Sequence, residues 1–425
     1  MTATGPCNAP GGTDTAEVVD VVTLGESMVT FLPSRAGRLA DVPSFGRAIG
    51  GAESNVACAL AAAGHSARWV SRVGADGFGD HLVEAIGAYG VDVTAVRRDP
   101  ARPTGIYFRT AGDRSTAAHE VAYYRTGSAA SAMTVGNTDL DAVRAGRVLH
   151  LSGITAALSE GCLGLLRELT APRAGRPLIS FDVNHRPGLW PDADRADVLL
   201  ELARGADVVF VGEDEAEEAW GVTGGPEAVR AVLPEPGVLV VKQGSVGATA
   251  FVSSAGSRGL VAQFPAPLKP TGSHPAPPAS SHAEPPADRH SAEPAGSRAA
   301  RAAPDPKKGG TPHARASDTS PRPAPTPGTF VPALAVDVVA TVGAGDAFAA
   351  GFLSATLRGL PAATCLRHGH LMAAAALTAP GDLAPPPTRH HADRLAALDD
   401  DAWGKLRLGP GWTQAEQAPE EVRTP

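Results

Sequence analysis

Residues 341–352 read TVGAGDAFAAGF, with Gly343 and Gly345 flanking Ala344 just ahead of an apolar helical run. Residues this small let backbone N–H groups converge on one point, and a helix N-terminus adds partial positive charge there. The result is an anion hole suited to the charge of a transferring phosphoryl group. Asp346 stands at the start of the same helix, where a carboxylate can accept the proton of an attacking hydroxyl. Such general-base assistance is worth roughly a hundred- to ten-thousand-fold in rate. An ordinary Gly-rich turn with an Asp at its helix N-cap would leave the same letters, so the motif needs company. No GxxxxGK[ST] run occurs, which excludes a P-loop enzyme.

Company comes from five further segments. GGAESN (50–55) precedes a helical stretch; Gly50 and Gly51 allow close backbone approach, and Asn55 either caps the helix, the commoner fate, or meets a substrate hydroxyl. VGADGFGDHLVEAIGAYGVDV (73–93) opens on a turn in which Asp76 is either a sugar ligand or, more commonly, a structural residue. SFDVNHRPGLW (180–190) follows a strand pattern; in extended chain Asp182, Asn184 and Arg186 project to one side. Three polar groups in a row are hard to explain by packing, and Arg186 is a fork for carboxylate or phosphate, a surface salt bridge being the plainer alternative. In YYRTGSAAS (123–131) Tyr123 and Arg125 share a face that suits an anionic polyol or a cross-strand pair. In VVVKQGSVGATAF (239–251) Lys242, Gly244 and Gly247 suit close approach to a nucleotide, or simply a hairpin.

The elements that must position these groups alternate. Apolar runs rich in β-branched residues occur at 19–24, 67–73, 147–152, 177–183, 206–211, 237–242 and 247–252. Helical patterns fall at 54–63, 78–90, 159–170, 193–204, 213–220 and 346–358. The pattern predicts an α/β fold: a doubly wound, mainly parallel sheet flanked by helices, with ligands beyond the carboxyl ends of the strands. Residues 29–50 and 104–125 carry short strands without an intervening helix and are expected to form a small β-strand lid. Residues 1–18 are small and polar, an expected disordered lead-in without the basic start and apolar stretch of a secretory signal. Residues 265–329 are dense in Pro, Ala, Ser and His and are expected to be a disordered insertion between domain segments 19–264 and 330–385, with a C-terminal tail over 386–425.

Composition excludes other classes. The 425-residue chain has 43% apolar residues, enough for a packed core, and a net charge of −8 without a basic run, which argues against nucleic acid as a partner. Its four cysteines form no CxxC pair, so neither a zinc site nor a disulfide framework is expected, and a reducing, cytoplasmic setting follows. No apolar run reaches membrane-spanning length. TLGESMV after the first strand lacks the GxGxxG of a dehydrogenase.

In this order the segments resemble the ribokinase-like (PfkB-type) carbohydrate kinases, over about 20–262 and 331–383. GGAESN with 73–93 looks like that family's N-terminal signature, and 341–352 like its C-terminal one. The resemblance implies ATP and Mg2+, with Asp346 as catalytic base and the amides of Gly343, Ala344 and Gly345 as anion hole. It implies that Glu215, in GEDEAEEAWG, organises magnesium through water rather than as a direct ligand, and that Lys242, Gly244 and Gly247 line the nucleotide side. YYRTGSA, LHLSGITAALS and DVNHRPGLW look most like 2-keto-3-deoxygluconate kinases, which implies that Tyr107, Tyr123, Arg125 and Arg186 hold an acid sugar. Fructokinases can also carry the D-x-N-x-R-x-x-L-W pattern, so a neutral ketose is the alternative substrate; a non-catalytic sugar- or nucleotide-binding regulator is the alternative of another class. The chain departs from the family at Ala340, where an Asp of a monovalent-cation loop is usual, and at Gly212, the usual Asn of Asn-x-x-Glu. Potassium activation is therefore not carried over. Exposed lid strands would be hidden in a homodimer.

Overall fold

A computed structural model describes residues 17–35, 37–110, 120–190, 197–253 and 327–414. Of the expected lead-in over 1–18, residues 1–16 lie outside the described residues, as do residues 265–326 of the expected insertion over 265–329; the insertion's bound is corrected at its end, where Thr329 already opens a strand.

The main sheet has eight strands in the order β14(Thr329–Pro332), β13(Gly247–Val252), β12(Val238–Lys242), β11(Val208–Gly212), β10(Leu178–Asp182), β9(Gly146–Ser152), β1(Val19–Leu24), β4(Ala67–Val70). β12, β11, β10, β9, β1 and β4 run parallel, and β13 and β14 add as an antiparallel edge. The central runs are buried on both faces, as parallel strands covered by helices must be. The lid is a four-stranded sheet in the order β3(Phe45–Gly50), β2(Met28–Pro33), β7(Ile106–Arg109), β8(Val121–Tyr124). Two short pairs complete the strands: β5(Arg72–Gly74) with β6(Arg97–Asp99), and β15(Ala335–Val336) with β16(Arg407–Leu408). The run expected as one strand over 67–73 is thus two, β4 in the main sheet and β5 outside it.

Among the described residues, the helices in chain order are α1(Ala52–Ala62), α2(Gly77–Gly87), α3(Leu140–Arg144), α4(Gly153–Ala157), α5(Glu160–Thr170), α6(Asp197–Arg204), α7(Glu213–Trp220), α8(Pro226–Val232), α9(Ala344–Leu357), α10(Ala362–Leu377), α11(Arg389–Ala396) and α12(Asp400–Lys405). Alternate residues of the same strands feed two cores. Leu149, Ile179, Val209 and Leu239 pack under α5 and α6, whereas Val148, Leu178, Val208 and Val238 pack under α1, α9 and α10. α9 and α10 lie close because α9 is built of small residues; a Cβ on Gly351 would sit 2.3 Å from the His368 carbonyl oxygen.

The expectation of a tail from residue 386 is corrected. Thr388 and Asp399 accept hydrogen bonds from the amides of His391 and Ala402 and start α11 and α12. Leu395, Ala396, Trp403, Leu408 and Trp412 then join the core. Asp76 takes the structural alternative, capping α2 through the amides of Phe78 and Gly79 and binding Thr104 through its amide and hydroxyl.

Candidate active site

Beyond the carboxyl ends of β1, β10, β11 and β12, a pocket of about 360 Å³ opens between the main sheet and the lid. α9 points its N-terminus into it. Gly343 takes a left-handed conformation (φ 77°), open to glycine at little cost, and turns the chain into the helix. Among the described residues, the amides of Gly343, Ala344 and Gly345 donate to no other group. They are the orphan donors of a helix start.

Asp346 lines the same pocket, and its Oδ2 accepts from Asn55 Nδ2 at 2.8 Å. Burial pushes its carboxyl up to about 7; the Asn55 hydrogen bond and the nearby Lys242 and Arg186 charges pull the other way, while Asp182 adds to the rise. Asn55 does not cap α1, as the commoner reading had it. It sits inside the helix, whose N-cap is Gly51, and reaches across to α9.

Lys242 Nζ donates to both oxygens of Asp182 at 3.0 and 3.1 Å and lies 4.0 Å from Glu215 Oε2. Burial pulls the ammonium's pKa down, but the charges of Asp182 and Glu215 outweigh it, so the pKa is raised and the lysine stays charged. A Cβ on Gly345 would stand 3.7 Å from Nζ, which puts this cation beside the free amides. Glu215 Oε2 accepts from the Gly212 amide at 2.7 Å, and its Oε1 is 3.4 Å from Arg186 Nη1.

Asp182, Asn184 and Arg186 all face the pocket, though not by the expected alternation. β10 ends at Asp182, and Asn184 is the one described non-glycine residue with positive φ, at 44°. Asn tolerates this region better than most residues, and such geometry collects at functional sites.

On the lid side, Tyr107 and Tyr123 pair across β7 and β8 with rings 5.4 Å apart, and the Arg125 guanidinium lies 5.9 Å from the Tyr123 ring. Arg125 forms an ion pair with the buried Glu26, whose Oε1 also accepts from Ser128 Oγ at 2.5 Å. Tyr107 donates to Asp382 Oδ2 at 2.6 Å, and Arg109 Nη2 lies 2.8 Å from Asp382 Oδ1. Burial raises the Asp382 pKa against the pull of Arg109 and Tyr107.

The expected residues therefore converge, apart from three. Ala344, Gly244 and Gly247 are not in the pocket lining. Gly244 (φ 56°) and Gly247 (φ 153°) shape the β12–β13 turn, and a Cβ on Gly247 would meet the Val331 carbonyl oxygen at 2.4 Å. Gly50 and Gly51 are required by the chain's own packing: a Cβ would sit 2.3 Å from the Tyr107 hydroxyl oxygen and 2.4 Å from the Glu26 carbonyl oxygen, respectively. Glu26 and Asp382 also line the pocket and were not anticipated. Glu26 sits in the short connection between β1 and β2, just past the carboxyl end of β1, a position that the strand-end rule could have flagged; Asp382 sits in APGDLAPPP, where no pattern marks it.

Magnesium held through one or two carboxylates and substrate phosphates needs no all-protein cage. Among the described residues no cluster of three or more His, Cys, Asp or Glu side chains could hold a metal. Glu215, with Asp182 nearby, fits the looser arrangement. No described helix is long and apolar enough to cross a membrane.

Residues 19–272 and 326–389 match the sequence profile described as "pfkB family carbohydrate kinase". A 2-dehydro-3-deoxygluconokinase of Bacillus subtilis (strain 168) is 30% identical over 386 residues, covering 89% of this chain and 95% of that protein. A 2-dehydro-3-deoxygluconokinase of Thermoproteus tenax is 35% identical over 254 residues, 59% of this chain and 76% of that protein. The crystal structure of a PfkB protein from Polaromonas sp. JS666 superposes with a TM-score of 0.64 at 28% identity, covering 90% of this chain and 100% of that one.

Proposed function

We propose, from the premise that this chain belongs to the pfkB family of carbohydrate kinases, that it transfers the γ-phosphoryl group of ATP to the terminal hydroxyl of 2-keto-3-deoxygluconate (2-dehydro-3-deoxygluconate), giving the 6-phosphate. Asp346 Oδ1 takes the hydroxyl proton and the freed oxygen attacks the γ-phosphorus. The amides of Gly343, Ala344 and Gly345 and the ammonium of Lys242 face the charge that develops on the transferring group. Glu215, through water and with Asp182 behind it, would hold Mg2+, which supplies charge neutralisation on the phosphates. The lid shuts out water, which would otherwise compete as acceptor. Gly50, Gly51, Asn55, Asp182 and Asn184 line the sugar's side of the pocket, and Tyr107, Tyr123, Arg125 and Arg186 supply the cationic and aromatic wall for an acid sugar. A cytoplasmic enzyme that pairs with a second copy through the lid edges is consistent with this reading.

The observation that carries it is the meeting, in one pocket, of a carboxylate with free helix-start amides and the basic groups of Lys242, Arg125 and Arg186. One feature favours the neutral-ketose alternative: Glu26 already balances the charge of Arg125. A coupled ADP-release assay over a sugar panel decides between them. We expect kcat/KM for 2-keto-3-deoxygluconate to exceed that for fructose and ribose by tenfold or more, by analogy with the worth of a charged hydrogen bond, about 1.5–3 kcal/mol. A preference for fructose removes the acid-sugar assignment and leaves the kinase.

A further inference from the structure

Asn55 and Asp346 lie 291 residues apart and on different helices, yet their side chains meet at 2.8 Å. The direction of this bond is fixed by chemistry. Turned the other way, the Asn55 amide would set its own oxygen against the carboxylate. Its NH2 must therefore face Asp346 whenever Asp346 is ionised. Oδ2 of Asp346 is thereby occupied, and Oδ1 makes no hydrogen bond among the described residues. A second observation agrees. Asn55 is only 4% exposed, and its Oδ1 is buried without a partner. A buried carbonyl left open is a cost that folding alone does not explain.

Resting on the reading of Asp346 as proton acceptor, we infer that Asn55 is a positioning residue for it: its amide grips one carboxylate oxygen and aims the other at the reacting hydroxyl. Other charged groups face Asp346 too. Asp182 and Lys242 come from β10 and β12, Arg186 follows β10, and Glu53 shares α1 with Asn55. Asp182 opposes ionisation of Asp346, whereas Lys242 and Arg186 favour it; Glu53, raised chiefly by burial, is pushed further up by Asp346 itself. Lys242 is itself bound to Asp182, so its help is shared. Asn55 is the group that hydrogen-bonds the carboxylate directly, and it draws the base back toward the ionised form against the effect of burial.

The test is the pH dependence of kcat/KM for wild type, Asn55→Leu and Asn55→Asp, beside Asp346→Asn, each checked for native fold by circular dichroism. Asn55→Leu removes the hydrogen bond, and the acid limb should move upward by about one pH unit, a tenfold loss on the acid side that recovers as pH rises. Asn55→Asp keeps the shape and sets a like charge against the base, so its limb should move up further; it decides alone if the leucine variant does not fold. Losses that are uniform across pH, with both limbs unmoved, overturn the inference and leave Asn55 as a substrate contact. If Asp346→Asn keeps its rate, the proton-acceptor reading falls and takes this inference with it; if Asp346→Asn is inactive while the Asn55 limbs stay put, only the positioning role is lost.

Discussion

Two cavities of nearly equal size open against α9. One, of about 360 Å³, lies at its N-terminus under the lid; the other, of about 330 Å³, runs along its side between the end of α1, α10 and residues 385–389. In the second, the serine and the two arginines face partners of the chain itself, and His368 Nε2 lies 3.2 Å from Asp393 Oδ1. Ser354 Oγ pairs with His65 Nε2 at 2.8 Å, Arg358 Nη2 meets both oxygens of Asp393 at 2.7 and 2.8 Å, and Arg389 Nη2 donates to the Ala63 carbonyl at 3.0 Å. In the first, the amides of residues 343–345 and the side-chain oxygens of Asn55 and Asn184 have no partner among the described residues. Volume does not separate the two. A concentration of open hydrogen-bonding groups does, because most buried polar atoms are paired and a cluster of unpaired ones calls for something to complete it.

That contrast can be broken by substitution. The largest effect short of replacing Asp346 is expected at Gly343, where φ is 77° and a Cβ would lie 2.2 Å from the Asp382 carbonyl oxygen. Gly343→Ala should displace the anion hole and lower kcat by about a hundredfold or more, the worth of one oxyanion donor, with a stability loss above about 1 kcal/mol by chemical denaturation. Next comes Arg125→Leu, for which steady-state kinetics should show KM for an acid sugar rising about tenfold to a hundredfold, while kcat with neutral sugars changes little. It also leaves Glu26 buried without its counter-charge, so the melting temperature should fall.

The pH profile sharpens the same point. A carboxyl raised by burial to about 7 is protonated, and useless as a base, on the acid side of that value. Initial rates should show kcat/KM falling about tenfold per pH unit below neutrality and flattening above it. The smallest effect is expected in the second cavity. Ser354→Ala removes the His65 hydrogen bond, which should cost about 1 kcal/mol in denaturation experiments and leave kcat/KM unchanged. A rate loss there equal to that at Gly343 would dissolve the distinction between the cavities.

Much of this was legible in the chain. Runs such as VDVVTL and VLVVK are apolar on both faces and therefore read as buried parallel strands, and GAG ahead of an apolar run read as a helix start with open amides. What stayed hidden is of two kinds. α11 and α12 are short and sit in a polar, Pro-preceded stretch, so their caps at Thr388 and Asp399 carry more information than their composition. The pairings Glu26–Arg125, Asn55–Asp346 and Tyr107–Asp382 join residues 99, 291 and 275 positions apart. Local pattern cannot supply contacts that only the folded sheet brings together. The same blindness explains Gly50, Gly51 and Gly247, where glycine is demanded by neighbouring chain rather than by a ligand.

Whether the carboxylate of residue 346 takes the acceptor's proton beside free helix-start amides is read from ADP release by Asp346→Asn. With the fold and ATP binding verified intact, kcat at neutral pH should drop by roughly a hundred- to ten-thousand-fold, while KM for ATP stays near that of the wild type. A variant that turns over within a few-fold of the wild type would remove Asp346 as the proton acceptor.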